Sequence, residues 1–235
     1  MMQIKRALVV AAHPDDEILG CGGTMAHLVA TGAFVHVAFL ADGVFSRPGQ
    51  SAEQREELGR RRAAALQACA LLGVASVSFG EFPDNQMDTV SVLTVAQVVE
   101  ALVSAHQPDT VFTHHFGDVN VDHRQVHDGV VAACRPQRGH PVRTILCFEV
   151  ASSTEWQLAG HPQPFVPSVF VEITRHVEAK AAALQAYHAE MRTWPHPRSV
   201  TGVAHLQSWR GACVGVEAAE AFVLGRHVVT EPGIG

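Results

Sequence analysis

The stretch Ala7-Leu8-Val9-Val10-Ala11-Ala12 followed by His13-Pro14-Asp15-Asp16-Glu17 decides the reading of the fold. Six consecutive apolar residues leave no polar face, so the run predicts a strand buried on both sides, as in a parallel sheet covered by helices. The charged turn that ends it then lies at the carboxyl edge of that strand. Working outward, Gly20 to Gly23 lead into a helix over Thr24 to Ala30, stopped by Gly32, and Phe34 to Leu40 returns as a second strand. That is one β-α-β unit.

The alternation continues along the chain. A long helix over about Ala52 to Leu72 closes at Gly73, and a strand follows at Ser76 to Phe82. Next come a helix around Val90 to His106, a strand at Thr110 to His114, a helix from near Val121 that ends before Pro136, and a strand at Arg143 to Val150. The expected class is α/β, a Rossmann-like, doubly wound and mostly parallel sheet with its core at about residues 5–155. From about residue 156 the pattern loosens into a C-terminal elaboration, with a short strand near Ser168 to Ile173 and a helix over Glu178 to Met191. With 235 residues, no internal repeat and no linker, the whole chain 1–235 reads as one domain.

Composition narrows the classes. Hydrophobic residues are 47% and charged residues 17%, with a net charge of -6, an ordinary globular balance that lacks the basic footprint of a nucleic-acid binder. The densest basic run, Arg60-Arg61-Arg62, sits beside Glu53, Glu56 and Glu57 and reads as a solvated helix face without a function. Five scattered cysteines form no C-x-x-C pair, and the N-terminal apolar run is too short for a signal or transmembrane segment, so a cytoplasmic location is expected. The oligomeric state stays open, a homo-oligomer included.

In an open parallel sheet, ligands bind at the carboxyl ends of the strands. Here those ends carry His13 to Glu17, then Asp42, then Asp84, then His114-His115 with Asp118, Asp122 and His123. A single Asp after a strand is most often a turn former or helix cap, which is the commoner reading for Asp42 and Asp84 taken alone. Convergence of four strand ends is the stronger signal. Pro14 biases His13 to an extended backbone, and a tight turn then brings His13 and Asp16 together while adjacent Asp15 points elsewhere. His13 and Asp16 supply two ligands of a catalytic metal site. The third is sought around Asp118 to His123, with His123 in the first turn of its helix and His114 and His115 competing for the role.

With those residues in view, the early His13-Pro14-Asp15-Asp16-Glu17 and the later Asp122-His123 resemble the zinc de-N-acetylases that act on N-acetylglucosamine groups. That family includes the deacetylases of glycosylphosphatidylinositol-precursor, mycothiol and bacillithiol pathways. The resemblance implies zinc held by His13, Asp16 and His123, with Asp15 as general base. It spans about residues 5–155, and Phe148-Glu149 to Trp156, Tyr187 and Pro195-His196-Pro197-Arg198 extend it toward a sugar-modifying branch. The chain departs from the family at one point: the late motif often reads His-Pro-Asp-His, whereas here Asn120-Val121-Asp122-His123 stands. The missing imidazole is expected to be replaced by a neutral donor at Asn120 or by another histidine, His196 before His114. Asp122 is expected to accept a hydrogen bond from a metal-bound imidazole, or else to cap its helix.

Candidate substrate contacts are Arg47, Asp84, Arg198 and Trp194, the last for stacking on a sugar ring, although packing or surface exposure is the commoner fate of each residue type. The sequence lacks a G-x-S-x-G elbow, and the glycines at 20, 22 and 23 follow a charged turn, so serine hydrolase and dinucleotide-binding readings fall away. His123 and His127 are four apart but lack the Glu of H-E-x-x-H, and His127 is expected as a partly exposed helix residue. The expected activity is removal of acetyl from an N-acetylated sugar or glycoconjugate. A thiol-conjugate amidase and a non-catalytic sugar- or metal-binding protein are the alternatives. Other divalent ions suit the same donor set.

Overall fold

A computed structural model describes residues 4–44, 52–160 and 163–229. Seven strands form one sheet: β1 (Arg6–Ala11), β2 (Phe34–Ala41), β3 (Ser76–Phe82), β4 (Thr110–His114), β5 (Thr144–Phe148), β6 (Val169–Glu172) and β7 (Ala219–His227). Their order is β3-β2-β1-β4-β5-β7-β6. The first five strands run parallel, β7 is antiparallel to β5, and β6 is antiparallel to β7. The mostly parallel α/β expectation holds. The C-terminal part also does more than decorate the sheet, because β7 pairs directly with β5.

Among the described residues six α-helices cover the sheet: α1 (Asp16–Ala30), α2 (Ala52–Leu71), α3 (Val92–His106), α4 (Val121–Ala133), α5 (Val177–Ala186) and α6 (Val200–Ala212). Strand β1 shows why the opening run is apolar throughout. Ala7, Val9 and Ala11 belong to the core under α1, α2 and α5, while Leu8, Val10 and Ala12 belong to the core under α3 and α4. Each buried Val or Leu contributes on the order of 1.5–3 kcal/mol, so both faces of this strand are stabilising.

Two expectations need correction. Helix α1 begins at Asp16, eight residues before the expected Thr24, because Gly20 and Gly23 serve close packing inside the helix rather than a turn ahead of it. A Cβ on Gly20 would lie 2.4 Å from the Phe148 ring, and one on Gly23 would lie 2.7 Å from Ile173. The helix is broken at Cys21, whose φ of -148° and ψ of 24° are not helical. The second correction concerns α6 and β7, which the sequence reading leaves unassigned. Ser199 caps α6 by accepting the Gly202 N–H, the ordinary start signal of a helix.

From β1 the chain steps outward through β2 to β3, and then resumes on the other side of β1 with β4 and β5. The reversal lies between β1 and β4. In an open parallel sheet this is where a crevice forms outside the carboxyl ends of the strands.

Candidate metal centre and active site

The turn after β1 and the segment after β4 meet in that crevice. His13 Nδ1 and His123 Nε2 lie 3.4 and 3.3 Å from the same oxygen of Asp16, Oδ2. The ligand atoms of His13, Asp16 and His123 all lie within 4.8 Å of one another. Backbone contacts fix the geometry: Asp16 Oδ2 accepts the His13 N–H at 2.8 Å, closing the turn that Pro14 starts.

Each imidazole is oriented by a buried carboxylate on its far nitrogen. His13 Nε2 sits 2.8 Å from Asp122 Oδ2, and His123 Nδ1 sits 3.2 Å from Asp118 Oδ1. Protons placed on those far nitrogens leave His13 Nδ1 and His123 Nε2 as lone pairs facing Asp16, the usual arrangement around a metal. The supporting carboxylates are themselves anchored. Asp122 accepts the N–H groups of Asn85 (2.6 Å) and Met87 (2.9 Å), and Asp118 accepts the hydroxyls of Ser153 (2.5 Å) and Thr154 (2.6 Å). Asp122 therefore orients His13 and leaves the cap of α4 to Asn120, whose Oδ1 accepts the Asp122 N–H at 2.8 Å.

Electrostatics point the same way. Burial alone would strip the proton from His123, but Asp16 and Asp118 outweigh it and push its pKa up to about 9. Burial likewise opposes a proton on His13, yet hydrogen bonds to Asp122, Asp16 and Asp84 hold it well above the ordinary value. For Asp16, burial works against ionisation while His123, His13 and His114 hold its carboxyl well below the usual range. The cluster concentrates negative charge where a cation belongs. Two imidazoles, one carboxylate and two orienting carboxylates fit a catalytic zinc or a similar divalent ion. His13 also groups with Asp84 and Asp122. In that second set, however, Asp122 is committed to two backbone N–H groups and to His13, which suits an orienting role.

Of the competing histidines, His114 abuts the set, with Nε2 3.6 Å from Asp16 Oδ2, and His115 lies outside it. His114 Nε2 accepts the Ala12 N–H at 2.8 Å, and its ring stacks on His123 at 3.9 Å between centroids. His115 Nε2 donates to the Gln163 carbonyl at 3.0 Å. His127 is buried, not partly exposed as expected, and its Nδ1 donates to the His114 carbonyl.

Asp15 lies beside these three candidate ligands but outside their set. Its carboxylate accepts Arg198 Nη1 at 3.0 Å, and Arg198 Nε donates to Ser152 Oγ at 3.0 Å. Burial raises the Asp15 pKa to about 7 against the opposing pull of Arg198. A buried carboxyl tuned near neutrality, in a cleft, is suited to carrying protons.

The cleft has a volume of about 600 Å³, and its walls include His13, Asp15, Asp16, Asp84, Asn85, Asn120, His123, Ser152, Ser153 and Arg198. Arg60 and Arg61 with Glu53 and Glu57 complete one side. The helix face expected to be merely solvated is thus a wall of the cleft, with Arg61 held by the Gly43 carbonyl (2.6 Å) and by Glu190 (3.0 Å). Asp84 reaches His13 Nε2 at 3.3 Å. The structure does not bring His196 and Trp194 to this wall: the His196 ring packs on Trp156 while its Nδ1 accepts the Arg198 N–H, and Trp194 is 56% exposed against His205. Arg47 lies outside the described residues. The sequence reading passed over Ser153 and Thr154, and it gave no role to the Arg198–Asp15 pair. The fold pairs residues 183 positions apart, which no local spacing reveals.

Residues 8–134, more than half the chain, match the family described as PIG-L, GlcNAc-PI de-N-acetylase. The chain belongs to the PIG-L family. Among PIG-L relatives, a 1D-myo-inositol 2-acetamido-2-deoxy-alpha-D-glucopyranoside deacetylase of Mycobacteroides abscessus is 29% identical, over 99% of this chain and 95% of its own length. Among solved structures, N,N'-diacetylchitobiose deacetylase from Pyrococcus horikoshii superposes with a TM-score of 0.76 at 19% identity, covering 95% of this chain and 85% of that one. The 4-carboxy-2-hydroxymuconate hydratase GalB from Pseudomonas putida superposes with 0.75 at 21% identity, covering 97% and 98%. At these identities the two superpositions establish the shared fold alone.

Proposed function

We propose that this PIG-L family member removes the acetyl group from an N-acetylated, N-acetylglucosamine-like sugar or its conjugate, using zinc held by His13, Asp16 and His123. The observation that carries the reading is Asp15: a carboxyl beside the ligand triad, outside it, and facing the same cleft. When bound, the ion supplies Lewis acidity toward the acetamide carbonyl and a water of lowered pKa.

The remaining steps belong to the chain. Asp15 takes the proton of the attacking water, and the Arg198 guanidinium opposes the burial that favours its protonated form. As the C–N bond breaks, Asp15 returns that proton to the leaving amine. Asn120 offers a neutral donor toward the developing oxyanion: its Oδ1 is used as the α4 cap, which turns its NH2 group toward the cleft side where Asn85 lies 3.4 Å away. Asn120 serves this role better than His196, which is absent from the cleft wall. Asp84 and Arg198 line the same wall, which supports the reading of them as contacts for substrate hydroxyls. A cleft of this size accepts one sugar with part of what it is joined to.

The Mycobacteroides abscessus relative is named for an acetamido-sugar substrate, and this supports the substrate class. No helix among the described residues is long and apolar enough to cross a membrane. The five unpaired thiols support the cytoplasmic location. Because a hydratase shares the fold, the test must score the bond broken. The metal-loaded protein should release stoichiometric acetate and free amine from N-acetylglucosamine, N,N'-diacetylchitobiose or an N-acetylglucosaminyl-inositol, and chelation should stop it. Acetate release that survives Asp15→Asn, or hydration of an unsaturated acid with no acetate from any acetamido sugar, would overturn the proposal.

A further inference from the structure

Asp15 sits in a backbone conformation that side-chain-bearing residues rarely adopt, with φ 107° and ψ -28°. Its neighbours keep it there. The Asp15 N–H donates to Glu17 Oε2 at 3.0 Å, and Glu17 Oε1 accepts the hydroxyl of Tyr187 at 2.6 Å. All three residues are buried, and Tyr187 and Glu17 have no exposure above 2%. Tyr187 is the residue at which α5 ends, so a segment 170 positions away closes this contact.

The unusual φ is what divides two adjacent carboxylates between two tasks. With residue 15 left-handed, Asp16 turns to His13 and His123 while Asp15 turns to Arg198 and the cleft. Residue 15 relaxing to an ordinary φ would swing its carboxyl away from Arg198. Neither Glu17 nor Tyr187 lines the cleft, so neither is placed to touch substrate.

We infer that Glu17 and Tyr187 are positioning residues for the reaction, fixing the Asp15 backbone so that its carboxylate meets the attacking water. This rests on the reading of Asp15 as the base, and a misplacement of that group by about 1 Å is enough to slow the reaction roughly a hundredfold.

The test is a double-mutant cycle on the metal-loaded, full-length enzyme, comparing Glu17→Leu and Tyr187→Phe in the native and Asp15→Asn backgrounds. Glu17→Leu should lower kcat roughly tenfold to a hundredfold with KM and bound metal unchanged. Glu17→Gln should restore most of kcat, because its carboxamide oxygen accepts the Asp15 N–H and its NH2 donates to the Tyr187 oxygen. Tyr187→Phe, the milder change, should lower kcat several-fold and covers the case in which Glu17→Leu does not fold. In the Asp15→Asn background neither variant should cost anything further. Equal losses in both backgrounds, loss of metal, or a Glu17→Gln enzyme as slow as Glu17→Leu would refute the inference. Full turnover by Asp15→Asn alone would instead remove the base assignment, so the two failures are told apart.

Discussion

Replacing Lys180 with Met should destabilise the fold substantially, and the structure says by how much. Lys180 and Glu220 are 3% and 4% exposed, with Nζ 2.6 Å from Oε1. At that separation two unit charges attract by about 6 kcal/mol with an effective dielectric of 20, most of which offsets the cost of burying them. Removing one partner leaves the other buried, a loss of about 3–5 kcal/mol. The low end applies here, because Glu220 keeps the N–H groups of Gly23 (2.9 Å) and Thr24 (2.7 Å). The pair also spans the break in α1: Glu220 caps the helix after Cys21, and Lys180 donates to the Leu19 carbonyl before it at 3.1 Å. For a chain of this size the loss lowers Tm by about 6–12 °C. Equilibrium urea unfolding of Lys180→Met measures it directly. The double variant Lys180→Met/Glu220→Leu should recover little, because Gly23, Thr24 and Leu19 backbone groups stay unpaired at about 1–3 kcal/mol each. A single variant losing under about 1 kcal/mol, or a double variant at native stability, would refute the capping argument.

Arg198→Met should move the ascending limb of the kcat/KM pH profile upward by about 1 unit or more, because burial already lifts Asp15 and the guanidinium is the charge that holds it down; a limb that stays put or moves down contradicts this. His36 is pushed down to about 4, first by burial and then by His106, so NMR should find its imidazole neutral at pH 5. With the folded pKa below the unfolded value, its neutral form stabilises the fold above about pH 6.5 and that contribution is lost as pH falls toward 4. A His36 midpoint near 6.5 would refute the burial argument. Gly20→Ala should cost about 1–3 kcal/mol by driving a methyl into the Phe148 ring, read by denaturant unfolding.

The parallel half of the fold was legible because β1 and β2 are buried on both faces, β1 as an unbroken apolar run over Ala7–Ala11 and β2 as one interrupted only by His36, while β4 is the short run TVFTH set off by Pro108 before it. The start of α1 was not, because glycines at 20, 22 and 23 look like a turn until the Phe148 and Ile173 side chains that need their space are known. Strand β7 was missed since only its first four residues are buried and its second half carries Gly225, Arg226 and His227, which dilutes the apolar signal. At the site, His13, Asp16 and His123 could be proposed from strand ends and motif spacing. Glu17, Tyr187 and the Arg198–Asp15 contact could not, because the chain brings them together from 170 or more positions apart. On α2 the face is solvated as expected at Arg60 and Glu56, and what the sequence does not show is that Arg61 on the same face also lines the cleft.

A divalent ion bound where the turn after β1 meets the start of α4 is what every catalytic role proposed above requires. Anomalous diffraction at the zinc edge, on crystals of the zinc-loaded protein, locates the ion directly. One peak per chain is expected, bonded to His13 Nδ1, Asp16 and His123 Nε2, with Asp15 unbonded. A peak held by His13 with Asp84 and Asp122, or one that bonds Asp15 in place of Asp16, would contradict it.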